Sequence, residues 1–254
     1  MAFVLVGTTH AGNVGAAARA LRAMGLRRLI LVAPRDPDVC RDPEAVVRAS
    51  RAGDVLATAE VVADLPQALA GFTLAVAISA DTREFGPDPV PPEDVAAQLR
   101  AELIGSTDAS VALVFGPERT GLSIEHVGLC QRVCSIPGDV DYSSLNLAQA
   151  VQIVAYCLRL AERSAAAATP SAAASAAPVA APRLATQTQV AGLFEHLERA
   201  LIDIGFLDPR HPKKLMPRLR RLFGRTRLEA EEVDLLRGVC KQIELHSRKF
   251  REPS

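Results

Sequence analysis

The stretch VGTTHAGNVGAAARALRAMG, residues 6–25, runs from the end of an apolar segment through a loop with two glycines into an alanine-rich segment. The preceding Phe3–Val6 is aromatic and aliphatic throughout, which predicts a strand. Alanine, leucine and arginine dominate residues 14–24, and all three are good helix formers. A strand, a short loop and a helix form the first half of a βαβ unit, so this stretch predicts an α/β fold.

The same alternation continues to about residue 162. Short apolar runs predict strands at Phe3–Val6, Leu29–Val32, Glu60–Val62, Leu74–Ile78, Val111–Phe115 and Val133–Ile136. Helical spacing predicts helices near 14–24, 44–51, 65–70, 93–103, 123–130 and 145–162. This order predicts a mostly parallel sheet with helices on both faces. Ligands of such sheets lie in loops at the carboxyl ends of the strands, here 7–13, 79–90, 116–122 and 137–144.

The first of these loops contains neither GxxxxGK[ST] nor GxGxxG, so neither nucleotide-binding fingerprint applies. Asn13, taken alone, is a good helix-capping residue. Arg19 has only Gly15, Ala16, Ala23 and another arginine as its neighbours three and four positions away. It is either a solvated cation on an exposed helix face, or a guanidinium that small neighbours leave open to a polyanion.

The segment LVFGPERTGLS, residues 113–123, begins as a buried strand that ends in Gly116 and Pro117. One interpretation is a turn with a surface ion pair between Glu118 and Arg119. The other follows from the glycine, because a strand ending in glycine at a ligand-facing edge lets the backbone approach a ligand closely.

The segment DYSSLNLAQAVQIVAYCLRLA, residues 141–161, places polar groups where an almost entirely apolar helix begins. Ser143 or Ser144 is expected to cap this helix, which leaves the other hydroxyl, Tyr142 and Asn146 unexplained. A helix that is apolar all round packs in a core or against another subunit. Buried polar groups need partners, and a ligand with many hydrogen-bonding edges would supply them.

The C-terminal part differs from the rest in composition. Residues 163–182 are rich in alanine and contain three prolines, which predicts a semi-rigid linker between a domain at 1–162 and a helical extension at 183–254. Three helices are expected in the extension, near 187–204, 211–224 and 229–248.

The net charge of zero hides an uneven distribution of charge. Residues 1–182 contain 14 basic and 19 acidic residues, whereas 183–254 contain 15 and 10. From Arg210 to Arg227 there are eight basic residues and no acidic one. Such a run is either a solvated face or a surface that contacts the phosphates of a nucleic acid.

Other features predict a cytoplasmic protein. The N-terminal residues show no secretory signal pattern, and no uncharged apolar run is long enough to span a membrane. The five cysteines form no CxxC pair, which suits reduced thiols. No cluster of His, Cys and Asp has metal-ligand spacing, so no metal is expected.

The three loop segments together resemble the three motifs of the SpoU branch of the SPOUT RNA methyltransferases, and most of all its TrmJ group. The first motif is Asn13 with Arg19, the second is FGPERTG at 115–121, and the third is SLN at 144–146. The likeness continues past the linker, in FEHLE at 194–198, HPKKLMPRLRRLFGRTR at 211–227 and LLRG at 235–238.

This resemblance implies a knotted α/β sheet that binds S-adenosyl-L-methionine without a GxGxxG loop. The cofactor-binding residues carried over by position are Ser79, Ala80, Gly116, Ile136, Ser143, Ser144 and Leu145. A homodimer is also implied, with the helix at 145–161 at the interface. The sequence departs from the family at Asp81, where the family has arginine, with Arg83 two residues later, and at Pro217 in place of the usual asparagine.

The implied reaction is methylation of a ribose 2′-OH of cytidine or uridine in tRNA, at nucleotide 32 of the anticodon loop. Arg19 is the catalytic arginine by motif, and it binds the target phosphate or assists deprotonation. The other residues with implied catalytic roles are Asn13, Glu118, Ser144 and Asn146. His10 is an alternative base by position alone.

The basic run is expected to bind tRNA, since the family extension helps to dock it. The candidate RNA-binding residues are Arg19, Lys213, Lys214, Arg218, Arg221 and Arg225. Two alternatives stay open: a related enzyme that acts on ribosomal RNA, and an RNA-binding protein of the same fold without turnover.

Overall fold

The computed structural model describes residues 1–80, 87–106, 108–139, 141, 144–167 and 183–251. Its strands are β1 Ala2–Val6, β2 Leu29–Val32, β3 Glu60–Val62, β4 Leu74–Ile78, β5 Pro89–Val90, β6 Val111–Phe115 and β7 Arg132–Cys134. Within the described residues they form one seven-stranded sheet in the order β3-β2-β1-β6-β4-β7-β5, and every pair is parallel. The predicted parallel α/β sheet is thereby confirmed.

Ten α-helices and a short 3-10 helix at Val39–Arg41 accompany this sheet in the described part of the chain. The α-helices before the linker are α1 Ala11–Ala23, α2 Pro43–Ala49, α3 Gly53–Ala57, α4 Leu65–Leu69, α5 Pro92–Gly105, α6 Ile124–Gly128 and α7 Leu147–Ala167. After the linker follow α8 Gln187–Asp203, α9 Leu215–Gly224 and α10 Ala230–Arg251.

Two apolar cores lie on the two faces of the sheet, because successive strand residues point to opposite faces. On one face Phe3 and Leu5 pack with residues of α1, α2, α5 and α7. On the other face Val4 and Val6 pack with residues of α4 and α6. The prediction of helices on both faces is therefore confirmed.

Two predicted helix ends differ from the structure by four residues or more. The helix expected at 145–162 continues to Ala167, because alanine is the best helix former and the first proline comes only at 170. The linker predicted from 163 therefore begins after 167 at the earliest. The helix expected from 211 begins at Leu215, since Lys213 has a φ of 48°, which no α-helix accommodates.

The C-terminal helices pack on the face of the sheet that carries α4 and α6. Gln131 and Gln187 form two reciprocal side-chain hydrogen bonds of 2.8 and 3.0 Å, and the backbone N–H of Gln187 donates to the carbonyl of Phe72 at 2.8 Å. Glu102 of α5 forms ion pairs with Arg132, at 3.1 Å, and with Arg227. The trefoil knot implied by the resemblance stays a prediction.

Candidate active site

The carboxylate of Glu118, in the loop after β6, accepts hydrogen bonds from the loop that begins α1. The donors are the Thr9 backbone N–H at 3.2 Å, the Thr9 hydroxyl at 3.0 Å, the His10 backbone N–H at 3.3 Å and the Asn13 side-chain amide at 3.0 Å. His10 occupies the N-cap position of α1 without a side-chain capping bond. Glu118 thus supplies from a distant loop the negative charge that stabilises a helix N-terminus.

The same hydrogen bonds keep Glu118 ionised. Partial burial alone raises the pKa of this carboxyl, but the bonds from Asn13, from its own backbone N–H and from Thr9 outweigh burial and lower the pKa below its ordinary value. A carboxylate with a lowered pKa is a weak proton acceptor at neutral pH. This arrangement suits Glu118 to hold other residues in place rather than to act as a base.

Asn13 connects this carboxylate to the start of α7. The side-chain amide of Asn146 donates to Oδ1 of Asn13 at 3.0 Å. Oδ1 of Asn146 accepts from the backbone N–H of Ala148 at 2.9 Å, and Oε1 of Gln149 accepts from the backbone N–H of Asn146 at 3.3 Å. Asn146 therefore caps α7, and the prediction that a serine caps this helix is wrong because the helix begins only at Leu147.

These contacts bring together three sequence segments that are far apart in the chain. Asn13 lies 105 residues from Glu118 and 133 from Asn146, yet both are hydrogen-bonded to its side chain at 3.0 Å. A carboxamide nitrogen carries two hydrogens. With one acceptor each among the described residues, Asn13 and Asn146 both keep an N–H that can donate to a ligand.

A cavity of about 260 Å³ lies beside this hydrogen-bonded chain, and Glu118 is part of its wall. Six of the seven predicted cofactor-binding residues line it: Ser79, Ala80, Gly116, Ile136, Ser144 and Leu145. Ile78, Phe115 and Leu147 add apolar surface. The seventh, Ser143, lies outside the described residues, as do Asp81, Arg83 and Tyr142. Three of the four loops selected from the sequence thus contribute to one cavity, and the fourth, 7–13, is hydrogen-bonded to Glu118 in its wall.

Gly116, in the wall of this cavity, is packed tightly against the backbone of its own loop. A Cβ atom at Gly116 would lie 2.3 Å from the carbonyl carbon of Gly121 and from the nitrogen of Leu122, closer than real Cβ contacts. Gly121 itself has a φ of 63°, the left-handed region that favours glycine. The loop 116–122 can therefore fold back on itself only with glycine at 116.

Arg19 lies on the exposed surface of α1, six residues or about 9 Å of helix axis beyond Asn13. Its guanidinium forms no hydrogen bond or ion pair with any residue that the structure describes. The helix beneath it is held close to α2, since a Cβ at Gly15 would lie 2.0 Å from the carbonyl oxygen of Ala45. Both interpretations of Arg19, a solvated cation and a guanidinium open to an anion, agree with this placement, and its catalytic role stays a prediction.

The predicted RNA-binding residues of the extension are distributed unevenly. Lys213, Lys214, Arg218 and Arg225 are exposed, whereas Arg221 is half-buried and contacts Asp88 at 3.4 Å. Arg227, in the same basic run, is ion-paired with Glu102 and donates to the carbonyl of Thr73 at 2.9 Å. Burial lowers the pKa of Arg227 although Glu102 opposes this shift. Arg227 therefore attaches the extension to the sheet domain.

Two residues of the site were missed from the sequence. Thr9 gives Glu118 two hydrogen bonds, and a hydroxyl directly before a helix start was the available signal. Gln149 forms a reciprocal capping pair with Asn146, and its place at the third helical position was the corresponding signal.

Among the described residues, no group of three or more His, Cys, Asp and Glu side chains is placed to hold a metal ion. No helix in the described ranges combines the length and the apolar character that crossing a bilayer requires.

Replacing Glu118 with glutamine is expected to lower the free energy of unfolding at pH 7 by about 1–3 kcal/mol, because the variant loses a charged acceptor shared by several donors. Since the pKa of Glu118 is lowered by folding, its contribution is complete above the ordinary value of 4.5 and is lost as the pH falls through the lowered pKa. Denaturant unfolding of both proteins from pH 7 down to pH 3 measures this difference.

Glu125, an exposed glutamate on α6, provides the control for this experiment. Its replacement with glutamine is expected to change stability by less than about 0.5 kcal/mol at every pH. A difference between wild type and Glu118→Gln that stays constant down to pH 3 would contradict the assigned role of the charge.

Two protein-family models match the chain. The model described as SpoU rRNA Methylase family matches residues 1–156, and the model described as tRNA methyltransferase TrmJ, C-terminal domain, matches residues 188–254. The two matches lie on either side of the predicted linker.

Curated relatives are similar over nearly the whole chain. The tRNA (cytidine/uridine/adenosine-2′-O-)-methyltransferase TrmJ of Pseudomonas aeruginosa is 40% identical over 246 residues, which cover 96% of this chain and 94% of the relative. The tRNA (cytidine/uridine-2′-O-)-methyltransferase TrmJ of Klebsiella pneumoniae is 39% identical, with 96% of each chain covered.

Solved structures are similar as well. TrmJ from Z. mobilis ZM4 has 30% sequence identity and a TM-score of 0.78, with 96% of this chain and 98% of that chain covered. A probable methyltransferase from Bordetella pertussis Tohama I has 46% identity and a TM-score of 0.60, with 63% of this chain and 94% of that chain covered.

Proposed function

Because the chain belongs to the SpoU methylase family, and within it to the TrmJ group, we propose that it methylates the ribose 2′-OH of cytidine or uridine in tRNA with S-adenosyl-L-methionine as donor. The observation that carries this proposal is the set of hydrogen bonds that joins Glu118, a residue of the cavity wall, to Asn13 and Asn13 to Asn146. It joins the three family motifs at one place. The target nucleotide is the one at position 32 of the anticodon loop.

The cavity lining offers the two kinds of group that an adenosine needs, apolar surface and backbone hydrogen-bonding groups. Ile78, Phe115 and Leu147 offer apolar surface to an adenine ring, and the loops at 79–80, 116–121 and 144–145 bring backbone groups to its edges. Gly116 itself adds no side chain to this wall, since a Cβ there would collide with the backbone of Gly121 and Leu122. When bound, the cofactor supplies a methyl group activated by a sulfonium.

The residues around the cavity position the acceptor ribose. The free N–H groups of Asn13 and Asn146 donate to the acceptor nucleotide, while Glu118 fixes Asn13 from behind. Ser144, exposed at the cavity, contacts the ribose. Arg19 binds the phosphate of the target nucleotide, which holds the 2′-oxygen in line with the methyl group. A proton must leave that oxygen, and we assign its removal to Arg19 or His10.

A homodimer is part of the proposal. Along α7, Tyr156 is 51% and Leu160 41% exposed, and both lie on the side of the helix turned away from the sheet. A partly exposed apolar helix face of this kind suits burial against a second subunit. We also place the protein in the cytoplasm, where its cysteines stay reduced; all five are free.

The test incubates the purified protein with labelled S-adenosyl-L-methionine and either a tRNA transcript or ribosomal RNA fragments. We expect label in tRNA, in a 2′-O-methylated pyrimidine that maps to position 32. Label confined to ribosomal RNA would favour the related rRNA enzyme. No transfer and no cofactor binding by calorimetry would favour an RNA-binding protein without turnover.

A further inference from the structure

An open groove of about 860 Å³ lies between the methyltransferase domain and the C-terminal helices, apart from the cofactor cavity. We call it the seam groove. One wall is α9, the other is α6 with the turn after it, and Pro87 and Asp88 border it. Its volume lies within the range of pockets that hold drug-sized ligands.

The α9 wall of the seam groove is basic. Lys214, Pro217, Arg221 and Arg225 line it at spacings of three and four, which places them on one face of the helix. Arg225 is exposed and forms no ion pair with a residue in the described ranges. The fourth cation of the lining, Arg220, lies 4.5 Å over the ring of Phe194.

The α6 wall is largely apolar. Ile124 is 72% exposed although it is a large aliphatic residue, and Val127 and Leu129 line the groove beyond it. Among the described residues, Asp88 and Glu125 are the acidic ones of the lining, and Asp88 already contacts Arg221 at 3.4 Å. The exposed Ile124 and its apolar neighbours therefore face a row of cations that, within the described residues, outnumber the acids.

The segments that line the seam groove and the cofactor cavity follow each other closely in the sequence. Residues 116–121 line the cavity, and α6 begins three residues later at Ile124. After α6, β7 leads to Ile136, which lines the cavity again. Along the sequence, the apolar wall of the seam groove thus lies between two segments that line the cavity.

From these observations we propose that the seam groove binds unpaired nucleotides of the RNA next to the methylated one, a proposal that rests on the proposed function. The bases lie against Ile124 and its apolar neighbours, and the phosphates lie along Lys214, Arg221 and Arg225. Unpaired RNA offers both kinds of surface at once. A second copy of this chain would have to bury these cations against acidic groups of its own.

The proposal is tested by the affinity of the full-length protein for a tRNA transcript, measured by fluorescence anisotropy at several salt concentrations. Arg225→Ala is expected to weaken binding about fivefold and to reduce the salt slope by about 1, as the loss of one phosphate contact does. Ile124→Ser is expected to weaken binding about fivefold with an unchanged slope, because it removes apolar contact with a base.

Matched controls are Ile104→Ser, which changes an isoleucine that is 69% exposed on α5, and Arg51→Ala, which changes an exposed arginine between α2 and α3. Both are expected to bind tRNA as wild type does. A photo-crosslinking residue at position 124 is expected to crosslink to the RNA, and crosslinking to a second protein chain instead would overturn the proposal.

The seam groove assignment and the proposed function on which it rests fail in different ways. If wild type methylates tRNA but both groove variants bind it with wild-type affinity and salt slope, the seam groove assignment is wrong and the proposed function stands. If wild type neither binds nor methylates tRNA, the proposed function fails and the groove assignment fails with it.

Discussion

Replacing Arg19 with alanine is expected to slow methyl transfer to tRNA at least about a hundredfold, the usual cost of removing a group that stabilises the transition state. Arg19 is exposed, and among the described residues it has no partner to lose. Its helix is held by Glu118 at the N-terminus and by the close approach of Gly15 to Ala45. Stability, cofactor affinity and oligomeric state are therefore expected to stay at wild-type values.

Single-turnover rates with saturating cofactor and tRNA measure this effect. Arg51→Ala, which removes another exposed arginine, is expected to leave the rate unchanged. Arg19→Lys keeps the charge but loses the planar fork that matches a phosphate, so it is expected to recover only part of the activity. Wild-type turnover by Arg19→Ala would remove this residue from the mechanism.

Most of the fold could be predicted because hydrophobic periodicity reports burial directly. The predicted bounds of Leu29–Val32, Glu60–Val62, Leu74–Ile78 and Val111–Phe115 coincide with observed strands. The strand Pro89–Val90 was missed, since two residues that begin with proline give no pattern. The helix Gly53–Ala57 was also missed, because five residues span little more than one turn and are too few to show helical periodicity.

The composition of the site could be predicted, but its contacts could not. Motif resemblance selected Asn13, Glu118 and Asn146, yet periodicity gives the face on which a side chain lies and not its partner. Glu118 was as compatible with a surface ion pair to Arg119 as with its actual bonds to Thr9 and Asn13. Arg227 illustrates the same limit, since a basic run does not reveal which of its members is buried against Glu102.

Replacing Gly116 with alanine is expected to weaken binding of S-adenosyl-L-methionine roughly ten- to a hundredfold. The added Cβ would lie 2.3 Å from backbone atoms of Gly121 and Leu122, which cannot yield as the end of a flexible side chain can. Relief of this clash requires the loop to open, at a cost of about 1–3 kcal/mol. The same loop lines the cofactor cavity and carries Glu118, so opening it also displaces the hydrogen bonds to Asn13.

Calorimetric titration of the cofactor measures the effect, with Gly53→Ala as the control because no atom lies within 4 Å of a Cβ at Gly53. Since Leu122 belongs to the apolar core on the α6 face, Gly116→Ala is also expected to lower the unfolding temperature, whereas Gly53→Ala is not. The titration reports the effect on the cofactor site, and the unfolding temperature reports the effect on the packing of the turn. A stable Gly116→Ala protein with wild-type cofactor affinity would show that the cofactor does not depend on this turn, and the binding site would have to lie elsewhere on the carboxyl edge of the sheet.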